Sequence, residues 1–162
     1  MGKQVKPAGS KQLEWTQPVT FYFRVDFQRG SKHFQASFME ISGLGMQITT
    51  EDKGTVVKYK VPTGISHSDI TLKRPLTPYS EGFTTWINNW QNWMEGKDGR
   101  IEVYDLVIKL LNPDGKPLAG WLCRHAYPID WKLETLDATG SKLSCETIVL
   151  TYNGCMKRLD IM

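Results

Sequence analysis

The sequence predicts a mainly β protein, an antiparallel β-barrel or sandwich flanked by one amphipathic α-helix. Residues alternate between apolar and polar from Val19 to Phe27, which is the period of a half-buried strand. Similar strand patterns occur on both sides of one helical segment, and turn signals such as Asn112 to Gly115 separate them. Because antiparallel strands are joined by such short connections, this order favours a barrel or a sandwich.

The helix is predicted at about residues 80–95, where Ser80 is a suitable N-cap and Gly96 a suitable end. Apolar residues recur there at helical spacing, while asparagine and glutamine fill the opposite side. The predicted packing stripe consists of Phe83, Trp86, Ile87, Trp90, Trp93 and Met94. So much aromatic area needs a large covering surface, so we expect the helix to pack on the strands.

The remaining strands follow from alternation and from the turns between them. They are predicted at 34–38, 55–61, 69–73, 101–111, 118–126, 129–136 and 142–152. Between the strands predicted at 34–38 and 55–61, residues 42–54 contain three glycines and no sustained alternation. We expect this segment to be a partly extended excursion from the sheet.

Length and charge place the chain among ordinary globular proteins. The 162 residues fit one domain at 18–162, preceded by a polar N-terminal segment at 1–17 that is flexible or ordered by a partner. The net charge of +3 is spread along the chain, whereas nucleic-acid binders carry clustered basic residues. No apolar run approaches the ~20 residues of a membrane span, and no signal-peptide pattern is present, so we expect synthesis in the bacterial cytoplasm without a direct membrane span.

Residues capable of chemistry are scattered, and no catalytic, cofactor-binding or metal site is predicted. The histidines (His33, His67, His125) share no motif, and the cysteines (Cys123, Cys145, Cys155) lack CxxC spacing. We interpret the cysteines as reduced structural thiols. Strand alternation predicts that the carboxylates of Asp69, Asp105, Asp130 and Glu146 face solvent or a partner subunit.

Two alternatives from other functional classes remain open at this point. A monomeric barrel would bind a ligand through Trp86, Trp90 or Trp93, although helical spacing favours core packing for these rings. A hydrolase of unrecognised type would use Asp69, Asp105 or His125. No motif supports the hydrolase, so the prediction is a structural protein rather than an enzyme.

A succession of short motifs resembles one protein family across residues 19–155. The motifs are FYFRVDF (21–27), EISGLGMQ (40–47), VKYKVPTG (57–64), DITLKRPL (69–76), FTTWINNW (83–90), NPDGKPLAGW (112–121), AYPIDW (126–131), LDATGS (136–141) and ETIVLTYNG (146–154). Together they resemble the tail-tube proteins of contractile phage tails and phage-tail-like injection systems. That family shares its fold with the Hcp protein of type VI secretion.

The resemblance implies a structural subunit that forms hexameric rings, stacked into a hollow tube for cargo delivery. The implied partners are further copies of the chain, a contractile sheath, baseplate and spike proteins, tape-measure and cap proteins, and protein cargo or DNA in the lumen. The implied location is a phage tail or phage-tail-like particle. A first-ring adaptor between tube and baseplate is the alternative within the family. The mild net charge suits an injection system better than a DNA conduit.

The excursion (residues 42–54) is the predicted site of contact between rings, with the N-terminal segment at 1–17 as a second contact. Its glycines permit extended backbone, and its apolar side chains need cover. The candidates are Ser42, Gly43, Leu44, Gly45, Met46, Gln47, Ile48, Thr49 and Thr50. Lumen or solvent is the predicted environment of Lys58 and Lys60 on one strand, and of Asp105 and Lys109 on another.

Overall fold

A computed structural model describes residues 22–77, 82–97, 100–140 and 144–160. Within these residues the chain forms nine strands and one helix. In chain order they are β1 (Tyr22–Arg29), β2 (Lys32–Phe38), β3 (Glu40–Ser42), β4 (Gln47–Lys53), β5 (Tyr59–Ser66), β6 (Ile70–Pro75), α1 (Gly82–Met94), β7 (Tyr104–Leu111), β8 (Pro117–Leu133) and β9 (Cys145–Leu159). The predicted N-terminal segment at 1–17 and the predicted N-cap Ser80 lie outside the described residues.

Seven strands form one antiparallel sheet in the order β2-β1-β7-β8-β9-β6-β3, and β4 pairs with β5 in a separate hairpin. The two ends of this sheet, β2 and β3, are joined by the single residue Met39, whose N–H donates to the Lys73 carbonyl at 2.9 Å. The sheet must therefore curl until its ends approach each other. The predicted antiparallel architecture with one helix is confirmed in its sandwich-like form, without a closed ring of paired strands among the described residues.

Aromatic side chains from the sheet and the helix fill the core. Phe27 lies at its centre, with ring centroids 4.6 Å from Phe34, 5.3 Å from Phe83 and 5.3 Å from Trp86. Edge-to-face and stacked arrangements of this kind add to the hydrophobic gain from burial. Tyr104 closes the cluster, 5.3 Å from Trp86. The helix is thus held on the concave side of the sheet by ring contacts.

The helix buries only part of the predicted stripe. Phe83, Trp86, Ile87 and Trp90 are buried, whereas Trp93 and Met94 are 48% and 54% exposed. The last turn therefore departs from the prediction, because these two side chains border an open groove rather than the packed core.

Gly96 ends the helix as predicted. Its φ of 71° is costly for any residue with a Cβ atom. The N–H of Gly96 donates to the Trp93 carbonyl at 3.0 Å, and that of Lys97 donates to the Asn92 carbonyl at 3.0 Å. These two bonds form a Schellman motif, which satisfies carbonyl groups that the helix leaves free.

The strand predicted at 55–61 is wrong in its position. The chain turns at residues 54–58, and the strand runs from Tyr59 to Ser66, beyond the predicted end at residue 61. Gly54 makes the turn with a φ of 100°, and a Cβ there would lie 2.2 Å from the Val57 carbonyl oxygen. Pro62 is tolerated because it pairs with Thr50 beside a register shift, where the ladder is already interrupted.

The two strands predicted at 118–126 and 129–136 are one strand, β8. Register shifts between β8 and β9 absorb the irregular residues, among them Pro128 and His125, whose φ is 54°. Such bulges allow a strand to continue through residues that look like a turn in sequence. The partner β9 likewise extends to Leu159, beyond the predicted end at 152.

Candidate assembly surface

The hairpin of β4 and β5, here called the arm (residues 47–66), stands apart from the seven-stranded sheet. Its strands pair only with each other in the described part of the chain, and every residue of β4 is exposed. An isolated two-stranded hairpin is only marginally stable in water. The arm therefore has the properties of a segment that is completed by another surface.

Exposed apolar side chains lie on both faces of the arm. The register places Ile48 opposite Ile65 on one face. Thr63 is the extra residue of β5 at the register shift, and it reverses the alternation, so that Tyr59 and Val61 lie on the other face. Ile48 is 62% exposed, and Tyr59 and Ile65 are each 58% exposed. Such side chains are costly to leave in water.

Polar residues are likewise divided between the two faces of the arm. The strand β4 alternates without interruption, so Thr50 and Asp52 share the face of Ile48, whereas Thr49 lies on the other face. There Thr63 Oγ1 lies 3.3 Å from Thr49 Oγ1, so the extra residue of β5 is held against β4. Of the predicted contact residues in β4, Ile48 and Thr50 therefore belong to one face, and Gln47 and Thr49 to the other. The partner strand of this segment was not foreseen.

The tip of the arm carries the most exposed apolar side chains of the described residues. Val56 is 94% exposed and Val57 is 75% exposed. Lys58 and Lys60 flank the start of β5 and make no ion pair within the described part of the chain. The tip thus combines exposed valine side chains with lysine ammonium groups that pair with no carboxylate in the described part of the chain.

The incoming connector of the arm, residues 43–46, depends on a glycine. Gly43 has a φ of 83°, and a Cβ at this position would lie 2.0 Å from the Asp69 carbonyl oxygen. The chain entering the arm therefore crosses the chain leaving it at backbone contact distance. Ser42 ends β3, Leu44 packs against the core, and Met46 is 53% exposed.

The outgoing connector is anchored by a ring stack. His67 lies parallel to Tyr152 of β9, with centroids 3.8 Å apart and an interplanar angle of 14°. The Tyr152 hydroxyl is buried and has no hydrogen-bond partner among the described residues, and burial raises the pKa of this phenol. The stack and the Gly43 crossing together fix where the arm leaves the body.

A concave apolar surface, here called the groove, lies at the C-terminal end of α1. Its walls include Trp93 and Met94 from the helix, Ile101 and Val103 before β7, and Tyr127 and Ile129 from β8. Its volume is about 470 Å³. Trp90 also lines the groove, although it is only 7% exposed, whereas Trp86 is buried in the core. Of the three tryptophans considered for ligand binding, Trp93 is thus the most accessible.

Glu146 is buried, so the prediction that it faces solvent or a partner is wrong. It lies directly opposite Arg74 in the β6–β9 ladder, and Arg74 Nε donates to Glu146 Oε1 at 2.6 Å. Trp131 Nε1 donates to Glu146 Oε2 at 2.9 Å, and an Arg74 Nη donates to Thr84 Oγ1 at 3.1 Å. Both side chains lie on the core side of their strands. Because the arginine cation neutralises the carboxylate, no unpaired charge is buried there.

The outer face of the sheet carries charges of both signs. Asp105 and Lys109 lie on the side of β7 opposite the buried Leu106 and Ile108, as alternation predicts. Lys109 Nζ pairs with Asp26 Oδ2 at 2.6 Å, and Asp105 Oδ1 accepts a hydrogen bond from the His125 backbone N–H at 3.0 Å. These carboxylates hold backbone and side-chain partners of the sheet itself.

The described residues do not assemble a catalytic or metal-binding constellation. They include no group of three or more His, Cys, Asp or Glu side chains placed to hold a metal ion. The three cysteines form no disulfide in the described part of the chain, and burial raises the pKa of the Cys123 thiol to about 12, which keeps it protonated. Asp69 precedes β6, whereas His125 lies in β8. In the same ranges, no helix has the length and apolar character to cross a bilayer.

Several solved structures share this fold. A chain of the sheath–tube complex of the extracellular contractile injection system PVC, in the extended state, has a TM-score of 0.72 at 23% identity, covering 95% of this chain and all 100% of the other. A chain of the anti-feeding prophage baseplate has a TM-score of 0.71 at 23% identity, covering 90% and 97%. Hcp1 from Flavobacterium johnsoniae has a TM-score of 0.51 at 17% identity, covering 84% and 98%. The TM-scores show a common fold, and at these sequence identities the likeness shows the fold alone.

Comparison with curated proteins gives no significant match. The family model described as "T4-like virus tail tube protein gp19" matches residues 19–156, which is most of the sequence. The match includes the arm, both of its connectors and the strands that form the sheet. The chain therefore belongs to the T4-like virus tail tube protein gp19 family.

Proposed function

We propose that the chain is a structural subunit whose hexameric rings stack into the hollow inner tube of a contractile injection system or phage tail. The observation that carries this proposal is the arm, a hairpin that carries exposed apolar side chains on both faces in the single chain. In a tail tube family, the surface most readily available to cover it belongs to another copy of the chain. The arm is accordingly assigned to the contact between rings.

Closed rings of identical subunits require two different surfaces that fit each other. The sheet offers one such surface at β2, which has a single neighbour, β1, in the described sheet. The unpaired backbone groups of this edge favour sheet continuation into the adjacent subunit of a ring. An edge for the ring and an arm for the stack would use separate parts of the subunit.

The mixed charges of the outer sheet face suit the lining of a conduit. Asp105 and Lys109 are half-buried on this face, and Lys109 pairs with the buried Asp26. A lumen of alternating sign holds neither a polyanion nor a basic protein strongly, which favours passage over binding. We therefore assign this face to the lumen and place protein cargo, rather than DNA, first among its contents.

The remaining parts of the proposal follow from membership of a tube family. The protein is not an enzyme, and it needs no cofactor or metal ion for its role. Its partners are a contractile sheath, baseplate and spike proteins, and the tape-measure and cap proteins. It is made in the bacterial cytoplasm and incorporated into a phage tail or a phage-tail-like particle.

A first-ring adaptor is the second candidate. The TM-score to the baseplate chain, 0.71, is almost the same as that to the sheath–tube chain, 0.72, so the fold does not distinguish the two roles. An adaptor would form a ring whose upper and lower surfaces bind different partners. It would therefore stop at single rings in isolation, whereas a tube subunit would form long stacks.

The test is negative-stain electron microscopy of the purified chain at high concentration, together with sedimentation velocity. Six-fold rings and stacked tubes are expected, and single rings alone would favour the adaptor. Uniform monomers over the whole concentration range would contradict both roles. Six-fold symmetry itself is measured from class averages viewed along the axis.

The role of the arm is tested by a matched pair of variants. Ile48→Thr with Ile65→Thr replaces a facing apolar pair by smaller side chains that carry hydroxyl groups, and Thr49→Ser with Thr63→Ser is a mild change on the other face that keeps both hydroxyl groups. We expect the first double variant to lose stacking and the second to retain it. Equal stacking by both would show that the face of Ile48 and Ile65 is not the contact.

A further inference from the structure

We propose that the groove is the receptor for the arm of a second copy, which inserts its tip between the end of α1 and β8. This inference rests on the proposed tube function and names the surface that accepts the arm. The contact is heterologous, because the arm and the groove are different parts of the same chain. It can therefore repeat from subunit to subunit without limit.

The exposed apolar residues are concentrated at these two places. Thirteen large apolar side chains are exposed in the described part of the chain. Six lie on the arm or immediately before it, namely Met46, Ile48, Val56, Val57, Tyr59 and Ile65. Three more, Trp93, Met94 and Ile129, line the groove. Nine of the thirteen thus lie at these two places, and a contact between the tip and the groove removes the two largest apolar exposures, those of Val56 and Val57, from water.

The two surfaces have complementary shapes. The arm is a projecting hairpin two strands wide, and the groove is a concavity of about 470 Å³ whose lining is almost entirely apolar. The arm does not occupy the groove of its own chain, because Val56 is 94% exposed and Val57 is 75% exposed. Only a second copy can bring these surfaces together.

The charges beside the two surfaces are also complementary. Lys58 and Lys60 adjoin the tip valines, and they make no ion pair in the described ranges. Glu95 follows Met94 and Asp130 follows Ile129, so each apolar wall of the groove ends in a carboxylate. Glu95 is paired with Lys97, and Asp130 lies 3.3 Å from Lys132. Because both pairs are exposed and weak, an incoming lysine can compete for the carboxylates.

Cysteine cross-linking tests the contact directly. Two proteins are made in a Cys155→Ser background, one carrying Val57→Cys and the other Ile129→Cys, because Cys123 and Cys145 are buried. We expect mild oxidation of the mixture to give a disulfide-linked heterodimer, identified by mass spectrometry of the joined peptides. One chain carrying both changes should give a ladder of linked oligomers. The matched control replaces Val57→Cys by Thr49→Cys, which pairs with Gly64 toward the base of the arm and away from its tip, and it should give at least tenfold less product.

A second measurement does not depend on cysteine chemistry. Met94→Lys adds a charge to the groove at an exposed position, and lysine is a good helix former near a helix C-terminus. We expect it to weaken self-association at least tenfold in sedimentation velocity. Leu136→Lys is the control, because Leu136 is 64% exposed and lies in neither surface.

The outcomes separate this inference from the proposed function. Rings and tubes that form without the Val57–Ile129 cross-link, and that tolerate Met94→Lys, would overturn the groove as receptor and leave the tube proposal intact. A chain that does not self-associate at any concentration would overturn both. Cross-linking with loss of association in Met94→Lys supports the inference.

Discussion

Arg74 and Glu146 face each other across the β6–β9 ladder, with Arg74 Nε 2.6 Å from Glu146 Oε1 and the arginine side chain only 1% exposed. The guanidinium also lies over the ring of Phe83, 4.4 Å from its centroid. A strand residue, its cross-strand partner and the first turn of α1 are therefore joined by one buried cation. This relationship fixes the helix at the end of the sheet where apolar packing alone would permit sliding.

Glu146→Gln is expected to lower the free energy of unfolding by about 3–5 kcal/mol, because it leaves the Arg74 cation buried without its counter-charge. Urea unfolding followed by tryptophan fluorescence measures this change. Asp130→Asn is the control, since the Asp130–Lys132 pair is exposed and is worth at most about 1 kcal/mol. Equal losses in the two variants would contradict the assigned importance of the buried pair.

Gly43→Ala is expected to disturb both stability and assembly. The φ of 83° disfavours alanine by about 1–2 kcal/mol, and the new Cβ would collide with the Asp69 carbonyl oxygen, so the arm must shift. Gly45→Ala is the matched control, because no atom lies within 4 Å of a Cβ at that position. Thermal unfolding and sedimentation velocity check both effects. If Gly43→Ala assembles as the unmodified chain does, the crossing does not position the arm.

Alkaline pH is expected to destabilise the fold from about pH 9 upward. Burial and a hydrogen bond to Glu102 raise the pKa of Tyr104 from 10.0 to about 12, and burial raises that of Cys123 from 9.0 to about 12. Both groups bind their protons more tightly in the folded state, so their contribution is complete below pH 9 and is lost toward pH 12.

Tyr104→Phe should make the fall between pH 10 and 12 shallower, as measured by urea unfolding at several pH values. Tyr59→Phe controls for the loss of a phenol at an exposed position. An unchanged pH slope in Tyr104→Phe would mean that this phenol is not the group responsible.

His67→Ala is expected to loosen the arm without unfolding the body. The stack on Tyr152, with centroids 3.8 Å apart, is worth about 0.5–1.5 kcal/mol, which corresponds to roughly two- to tenfold faster local opening. Hydrogen exchange of the backbone amides at 47–66 measures this opening. His33→Ala is the control, because His33 is exposed in β2. Faster exchange throughout β9 as well would indicate a general loss of stability instead.

Much of the fold was predictable because its signals are local. Alternation in β1, the aromatic spacing of α1 and the φ preference of Gly96 each act within a few residues, and each has its expected structure. The position of β5 was mispredicted because a tight turn at Gly54 and a proline beside a bulge are decided by the partner strand. Glu146 was mispredicted because its partner Arg74 is 72 residues away in sequence.

The sequence by itself determined the class of the fold, the presence of one helix and the family, since periodicity, turn residues and ordered motifs are properties of neighbouring residues. Only the tertiary structure decided how the apolar side chains of the arm divide between its faces, which helix residues border the groove and which carboxylate is buried. These features depend on register and on contacts between distant segments, because a shift of one residue moves every side chain of a strand to its other face.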